Sequence, residues 1–235
     1  MTGRRGREGA TAAPPLDAAG FARAVPVSRE TLARLEAYAR LLVRWNRAIN
    51  LVAPASLGDL WARHILDSAQ LLPLLPAAPE GRPRVLLDLG SGAGFPGMVL
   101  AILGAGEVHL AEADRRKASF LREVARETGT RVTLHCQRVE ALAPFAADVV
   151  TARAFAPLPR LLPLAAPFLR PEMPGAAGGV ALLLKGRRLQ AELTAAAETW
   201  HMQYEAFPSR TESAAKILRL KLLDLENLGR DTTTS

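Results

Sequence analysis

Apolar residues recur at helical spacing in the first part of the chain. Ser28, a residue type that favours helix N-termini, precedes an apolar stripe that predicts an amphipathic helix. The stripe consists of Leu32, Leu35, Leu42 and Val43, widened by Tyr38, Leu41 and Trp45. A second helix is predicted to begin at Asp59, as its cap, and to run to Pro73. Residues 28–80 are therefore interpreted as a small helical N-terminal unit, which closes with the proline-rich linker PLLPAAPEGRP.

Further along the chain, short apolar strands alternate with helices. The segments RVLLDL, VHLAEA, VTLHC, ADVVTA and GGVALLLKG have the composition of buried strands, and helical segments separate them. Two final strands are predicted around Gln203–Phe207 and Lys216–Leu222. The alternation predicts an α/β fold with a doubly wound, Rossmann-like sheet of about seven strands over residues 81–225.

The two ends of the chain lack this periodicity. Residues 1–27 are rich in Gly, Ala, Pro and Arg, which predicts a disordered basic tail, and residues 226–235 are expected to form a C-terminal tail. No apolar run reaches the roughly 20 residues that cross a bilayer, and the first residues do not resemble a secretory signal. The single cysteine, Cys136, cannot form an intrachain disulfide, which fits a reducing compartment. We therefore expect a cytoplasmic, monomeric protein with no membrane contact and no metal.

The charge of the chain permits a nucleic-acid partner without requiring one. The formal net charge is +7, and the basic residues comprise 26 arginines and only four lysines. The planar guanidinium group matches phosphates and stacks on bases, which suits RNA or DNA. Codon bias in the genome of origin would explain the same excess of arginine equally well.

A glycine-rich stretch, LLDLGSGAGFPG, directly follows the first predicted strand and supports two alternatives. The GxGxxG pattern that begins at Gly92 fits a dinucleotide site, whereas the pattern Asp88-x-Gly90-x-Gly92-x-Gly94 fits the loop that binds S-adenosylmethionine. A pyrophosphate needs free N–H groups at the start of the next helix, and Pro96 offers none there. Because S-adenosylmethionine has no phosphate, Pro96 favours that cofactor.

Two acidic residues follow the next predicted strands. Glu112, at the end of the second strand, suits the ribose hydroxyls of NAD and of S-adenosylmethionine alike, and Glu140 follows the third strand, near the expected adenine amine. Asp88 and Pro96 are therefore the features that separate the two cofactors. Together they favour a methyltransferase over a dehydrogenase.

An ordered set of motifs between about Leu32 and Leu222 resembles the GidB/RsmG family of bacterial 16S rRNA guanine-N7 methyltransferases. The motifs are Asn50-Leu51-Val52, RHILDSAQLL, DLGSGAGFPG, EADRRKASFLREV, RVE, TARAFAPL and LLLKG, in that order. The last predicted strand departs from the family, because AAKILRLKLL stands where the family usually has an Arg-His pair ahead of an apolar run. The resemblance implies a class I methyltransferase fold and S-adenosylmethionine as cofactor. It also implies methylation of N7 of guanine 527, in the 530 loop, within 16S rRNA or a precursor of the small ribosomal subunit.

Seven residues are candidates for cofactor binding. They are Gly90, Gly92, Phe95, Glu112, Val139, Glu140 and Arg153. The resemblance assigns cofactor contacts to Gly90, Phe95, Val139 and Glu140, whose positions match the motifs of the family. Arg153 ends the fourth predicted strand, where its charge could bind the carboxylate of the cofactor, the target base or a phosphate.

No catalytic base is expected. Guanine N7 carries an in-plane lone pair and no proton, so its methylation needs positioning rather than proton transfer. Two alternatives stay open, namely a methyltransferase for a protein or small molecule, and an RNA-binding protein that keeps the fold without turnover.

Further polar residues are expected around the mouth of the site. His64 and Asp67 share one helical face and suit a structural hydrogen bond there better than direct chemistry. Two basic clusters, Arg115-Arg116-Lys117 and Lys185 with Arg187-Arg188, follow predicted strands on one edge of the sheet. We expect these clusters to contact rRNA phosphates.

Overall fold

A seven-stranded sheet lies at the centre of the computed structural model, which describes residues 15–172 and 177–223. The strands are β1 (Val85–Leu89), β2 (Glu107–Ala111), β3 (Thr133–His135), β4 (Val149–Arg153), β5 (Val180–Lys185), β6 (Met202–Pro208) and β7 (Lys216–Leu222). The α-helices are α1 (Ala18–Ala24), α2 (Arg29–Trp45), α3 (Asp67–Ala69), α4 (Gly97–Ile102), α5 (Arg115–Thr128), α6 (Leu158–Ala165) and α7 (Leu189–Ala197). Shorter helical turns lie at Pro54–Asp59, Trp61–Leu66, Leu72–Leu74, Val139–Ala141 and Ala166–Phe168.

The strand order is β3-β2-β1-β4-β5-β7-β6, and β7 is antiparallel to both of its neighbours. Strands β1 to β5 are parallel, so their carboxyl ends share one edge of the sheet. The chain changes direction across the sheet between β1 and β4, and doubly wound folds bind ligands in the crevice at that point. The prediction of a doubly wound α/β fold is confirmed, and the loops after β1 and β4 flank this crevice.

Each face of the sheet carries its own hydrophobic core, because successive strand residues point to opposite faces. Leu86 of β1 belongs to the core that also contains Tyr38 of α2 and Phe120 of α5. Leu87, the next residue, belongs to the core beneath α6 and α7. The N-terminal helices therefore pack on one face of the sheet and share its core.

The start of the N-terminal unit is partly as predicted. Helix α2 begins after Ser28, whose hydroxyl accepts a hydrogen bond from the Thr31 N–H at 3.1 Å. The predicted disorder up to residue 27 is wrong for α1, where Phe21 is fully buried and packs 5.6 Å from the Trp61 ring centroid. A seven-residue helix is too short to show an apolar period, which hid it from the sequence pattern. Residues 1–14 and 226–235 lie outside the described residues, and the boundaries at 28, 81 and 225 stay predictions.

The second predicted helix has a different structure from the one expected. Asp59 ends a 3-10 turn instead of capping a helix, and residues Trp61–Leu66 form a π turn that leads into α3. The Asp67 N–H donates to the carbonyl of Ala62, five residues earlier, where an α-helix would use that of Arg63. The Asp67 N–H, which also donates to the His64 carbonyl, therefore does not use the Arg63 carbonyl. No helix in the described part of the chain is long and apolar enough to span a bilayer.

Candidate active site

The glycine-rich loop after β1 leaves one open position beside its backbone. At Gly92, where φ is +57°, a Cβ would meet no atom closer than the Gly90 carbonyl oxygen at 3.8 Å. At Gly94, by contrast, a Cβ would lie 2.7 Å from the Tyr38 hydroxyl, and that hydroxyl donates to the Ala93 carbonyl. Gly92 therefore gives a ligand close access to the backbone, whereas Gly94 allows α2 to pack against the loop.

Gly90 faces an aromatic ring instead of open space. A Cβ at Gly90 would overlap the ring of Phe155, which follows β4 across the crevice and is 37% exposed. The preceding residue, Ala154, has φ +51°, a left-handed conformation that is unfavourable for a residue with a Cβ. This backbone turn directs Phe155 toward the glycine loop. Sequence reasoning missed Phe155, although it lies within the TARAFAPL motif.

Asp88 is fully buried beneath the loop and stabilises it from inside. Its carboxylate accepts hydrogen bonds from the Thr151 hydroxyl at 2.7 Å and from the Gly97 N–H at 3.2 Å. Burial raises the pKa of Asp88 to about 6. The carboxylate joins β1, β4 and α4 and does not reach the ligand side of the loop.

Glu112 lies directly after β2 and is close to the open position. It is 8% exposed, and its two carboxylate oxygens accept from the N–H groups of Gly92 and Asp114, both at 2.7 Å. Each oxygen keeps a lone pair that can accept a further hydrogen bond. Glu112 thus fixes the loop and can also receive a pair of ligand hydroxyls.

The remaining cofactor candidates differ in their exposure. Val139 is buried in a short 3-10 turn after β3, whereas Glu140 beside it is exposed. Phe95 is 4% exposed, with the rings of Tyr38 and His64 at centroid distances of 5.3 and 5.0 Å. Cofactor contacts for these residues stay predictions, and Phe95 also supports the aromatic stack beneath the site.

Arg153 joins the end of β4 to the π turn. Its Nη1 donates to the Arg63 carbonyl at 3.0 Å and to Asp67 Oδ2 at 3.3 Å, and its Nη2 donates to His64 Nδ1 at 3.0 Å. The guanidinium carbon also lies 4.9 Å from the centre of the Phe95 ring. These contacts hold the guanidinium in a fixed orientation at the crevice, where the side chain is 19% exposed.

His64 is neutral and its tautomer follows from its partners. Arginine only donates hydrogen bonds, so Nδ1 carries no proton and Nε2–H donates to Ser56 Oγ at 2.8 Å. Burial, together with the positive charge of Arg153, lowers the pKa of His64 to about 4. The expected structural role of His64 at the mouth of the site agrees with these contacts.

Asp67 extends this network to the hairpin at the far end of the sheet. Its Oδ1 accepts from the Thr211 hydroxyl at 2.7 Å and from Gln70 Nε2 at 2.8 Å. Gln70 Oε1 in turn accepts from the Arg210 N–H at 2.8 Å. The β6–β7 connection is thereby attached to the same turn that holds Arg153.

A cleft of about 710 Å³ opens between the π turn, the ends of β4 and β5, and the β6–β7 connection. Arg63, Arg153 and Lys185 line it. Lys185 is only 8% exposed, and its ammonium group donates to the Ala156 carbonyl at 2.9 Å and to Glu192 at 2.8 Å. The expected phosphate contact of Lys185 stays a prediction, and it would require the ammonium group to leave Glu192, which neutralises its charge.

The other predicted basic residues lie at the surface. Arg115 and Arg116 are exposed at the start of α5, on the cofactor edge, and Arg187 and Arg188 are exposed after β5. Their contacts with RNA stay predictions. Within residues 15–172 and 177–223, no group of three His, Cys, Asp or Glu side chains is placed to hold a metal ion.

Comparison with known proteins agrees with this geometry. Residues 31–219 match the profile of a family described as GidB, rRNA small subunit methyltransferase G. The ribosomal RNA small subunit methyltransferase G of Rhodospirillum centenum is 58% identical over 208 residues, covering 88% of this chain and 92% of that protein. The enzyme of the same name from Rhodospirillum rubrum is 58% identical over 200 residues, covering 85% and 94% of the two chains.

Solved structures with low sequence identity share the fold. One is magnesium protoporphyrin IX methyltransferase from Synechocystis with bound S-adenosylmethionine, with a TM-score of 0.53, 14% identity, and coverage of 84% of this chain and 98% of that one. Another is the ribosomal protein L11 methylase of Lactobacillus delbrueckii, with a TM-score of 0.52, 15% identity, and coverage of 66% and 77%. The chain belongs to the rRNA small subunit methyltransferase G family and is a methyltransferase that uses S-adenosylmethionine as its cofactor.

Proposed function

We propose that this protein transfers a methyl group from S-adenosylmethionine to N7 of guanine 527, in the 530 loop of 16S rRNA. The observation that carries the proposal is the open backbone position at Gly92, with Glu112 beside it, at the point where the sheet changes direction. We expect the reaction to take place in the cytoplasm, on rRNA or on a precursor of the small subunit.

The residues around Gly92 fit the cofactor. S-adenosylmethionine, when bound, supplies an electrophilic methyl group on a sulfonium ion. The free lone pairs of Glu112 can accept the two ribose hydroxyls, and the missing side chain of Gly92 lets the ligand approach the loop. Val139 and Glu140 follow the neighbouring strand β3, where they can border the adenine.

The cleft supplies orientation rather than proton transfer. N7 of guanine has no proton to remove, and the two cleft groups best placed to act as a base are already occupied. His64 uses both ring nitrogens in hydrogen bonds and has a pKa of about 4, while Asp67 accepts from Arg153 and Thr211. The protein therefore needs to hold N7 in line with the methyl group and to exclude water.

Arg153 is suited to bind an anion at this position. A guanidinium that donated to N7 would occupy the lone pair that must attack, so its remaining N–H groups are better used on a phosphate, on O6 or on the cofactor carboxylate. The bonds to Arg63, His64 and Asp67 fix the guanidinium before the substrate arrives. This fixed orientation reduces the entropy lost when the substrate binds.

Methylation mapping tests the proposal. The purified protein is incubated with methyl-labelled S-adenosylmethionine and either deproteinised 16S rRNA or small ribosomal subunits from a strain that lacks the modification. Chain cleavage specific for N7-methylguanine should then give one site, at guanine 527. Label at another nucleotide, or in ribosomal protein, would contradict the proposed target. Binding of the RNA without any methyl transfer would support an RNA-binding protein that has lost turnover.

A further inference from the structure

Helix α2 and the turn that follows it present a row of arginines. Arg40 and Arg44 lie four residues apart on one side of α2, Arg47 lies two residues beyond the end of the helix at Trp45, and all three are exposed. Val43 lies among them and is 41% exposed, an unusual position for a large apolar side chain. The opposite side of α2 is buried against the sheet layer, so this face points away from the core.

The arginines border a groove with an apolar floor. The groove has a volume of about 500 Å³ and lies between α2 and the π turn. Its floor and walls include Ala39, Val43, Leu57, Leu60 and Trp61. Trp61 is half-buried and held by Phe21 of α1 on one side, which leaves the rest of the indole at the groove. We call this feature the α2 groove.

The charges at the α2 groove are not neutralised within the described part of the chain. None of its three arginines forms an ion pair or a side-chain hydrogen bond with another described residue. The hydrogen bonds from Arg126, at 3.0 Å, are the main cause that lowers the pKa of Glu123, and the charge of Arg44 contributes least. Three exposed guanidinium groups are therefore available to an anionic partner.

A second cleft connects the α2 groove with the cofactor edge. This cleft has a volume of about 320 Å³, and Arg47, Asn50, Arg116 and Lys117 line it. Its acidic residue, Asp114, caps α5 by accepting from the N–H groups of Arg116 and Lys117. Helix α5 starts directly after Glu112, so the basic surface continues from the α2 groove to the edge of the active site.

We infer that the α2 groove binds a segment of the rRNA that flanks the target nucleotide, with its phosphates on Arg40, Arg44 and Arg47 and a base or ribose against Trp61. Arg40 and Arg44 lie about 6 Å apart along the helix axis, and Arg47 lies beyond them, which suits successive phosphates of one strand. Guanidinium groups and an indole together match the two surfaces of RNA, its phosphates and its base faces. This inference rests on the proposed function, because it assigns a second contact to the same substrate.

The experiment compares two triple variants by RNA affinity and by methyl transfer. One variant, R40Q/R44Q/R47Q, removes the groove charges, and its control, R29Q/R34Q/R131Q, removes three exposed arginines that line neither cleft. Both lower the net charge by the same amount, and glutamine keeps a high helix propensity. Binding of deproteinised 16S rRNA and of small ribosomal subunits is measured from 50 to 300 mM salt, and binding of S-adenosylmethionine checks that each variant is folded.

The groove variant should bind rRNA at least tenfold more weakly at 150 mM salt, with a slope of log affinity against log salt smaller by about 2. Its KM for rRNA should rise while kcat and cofactor affinity stay close to those of the unchanged protein. The variant R40K/R44K/R47K, which keeps the charge, should retain most of the salt slope. If the triple glutamine variant does not fold, R40Q/R44Q is compared with R29Q/R34Q in the same way and should show a smaller loss of the same kind.

Three results would overturn the inference. One is an unchanged affinity and salt slope in the groove variant, and another is an equal loss in the control variant, since that would reflect net charge alone. The third is a loss confined to assembled subunits, which would make the partner of the α2 groove a ribosomal protein. Failure of the proposed function looks different, because the unchanged protein would then not methylate rRNA at all.

Discussion

Replacing Gly92 by alanine tests the cofactor site with a calculable side effect. Gly92 has φ +57°, so a Cβ costs about 1 kcal/mol of stability, offset in part by the reduced freedom of the unfolded chain. The new methyl group meets no protein atom closer than 3.8 Å, so the loop itself has no steric reason to move. It does occupy the space through which a ligand approaches the backbone. We expect S-adenosylmethionine to bind at least tenfold more weakly, which corresponds to about 1.4 kcal/mol.

Gly129 provides the matched control for this substitution. It ends α5 with φ +60°, and a Cβ there would meet nothing within 4 Å. Gly129→Ala therefore carries the same backbone strain without blocking the crevice. Calorimetry with S-adenosylmethionine and thermal unfolding should show similar losses of stability in both variants and a loss of binding only in Gly92→Ala. Unchanged binding in Gly92→Ala, or an equal loss in Gly129→Ala, would refute the assignment of Gly92 to the cofactor site.

Three further predictions follow from the contacts around the crevice and from the packing of α1. Arg153→Lys should fold but lose most of its methyl-transfer activity. A double-mutant cycle with Asp67→Asn, measured on the rate of methyl transfer, should give a coupling energy of about 1–3 kcal/mol; a coupling near zero would show that the pair does not act together. His64 (pKa about 4) makes the free energy of unfolding rise with pH between about 4 and 6.5, because in that range only the unfolded state binds the proton of His64. Asp88 (pKa about 6) makes the free energy of unfolding fall with pH between about 3.8 and 6, because in that range only the folded state binds the proton of Asp88. Denaturant titrations should therefore show a steeper rise with pH in Asp88→Asn and a shallower one in His64→Gln than in the unchanged protein. The difference should be at most about 3 kcal/mol for Asp88 and about 3.5 kcal/mol for His64; identical pH profiles would contradict both assignments. Phe21→Ala should lower the free energy of unfolding by about 3–5 kcal/mol, because α1 packs through this ring, and a loss below 1 kcal/mol would mean that α1 contributes little.

The sequence alone determined the architecture and the family. Alternating apolar strands and helices have local signatures, so the doubly wound sheet and its seven strands could be predicted from them, as could the start of α2 at Ser28. The motifs around the glycine loop have fixed spacings along the chain, and they identified the methyltransferase family. Each of these features depends on residues that are close together in sequence.

Only the tertiary structure decided how the side chains at the site are used. Arg153 meets Asp67 across 86 positions of sequence, and the same guanidinium nitrogen donates to the Arg63 carbonyl of the π turn. Asp88 is buried and does not reach the ligand side of the loop. The ion pair with Glu192 neutralises the charge of Lys185. Phe155 reached Gly90 only through the left-handed backbone of Ala154. A sequence pattern shows which residues are polar or apolar, but partners, burial and charge neutralisation depend on elements that only the folded chain brings together.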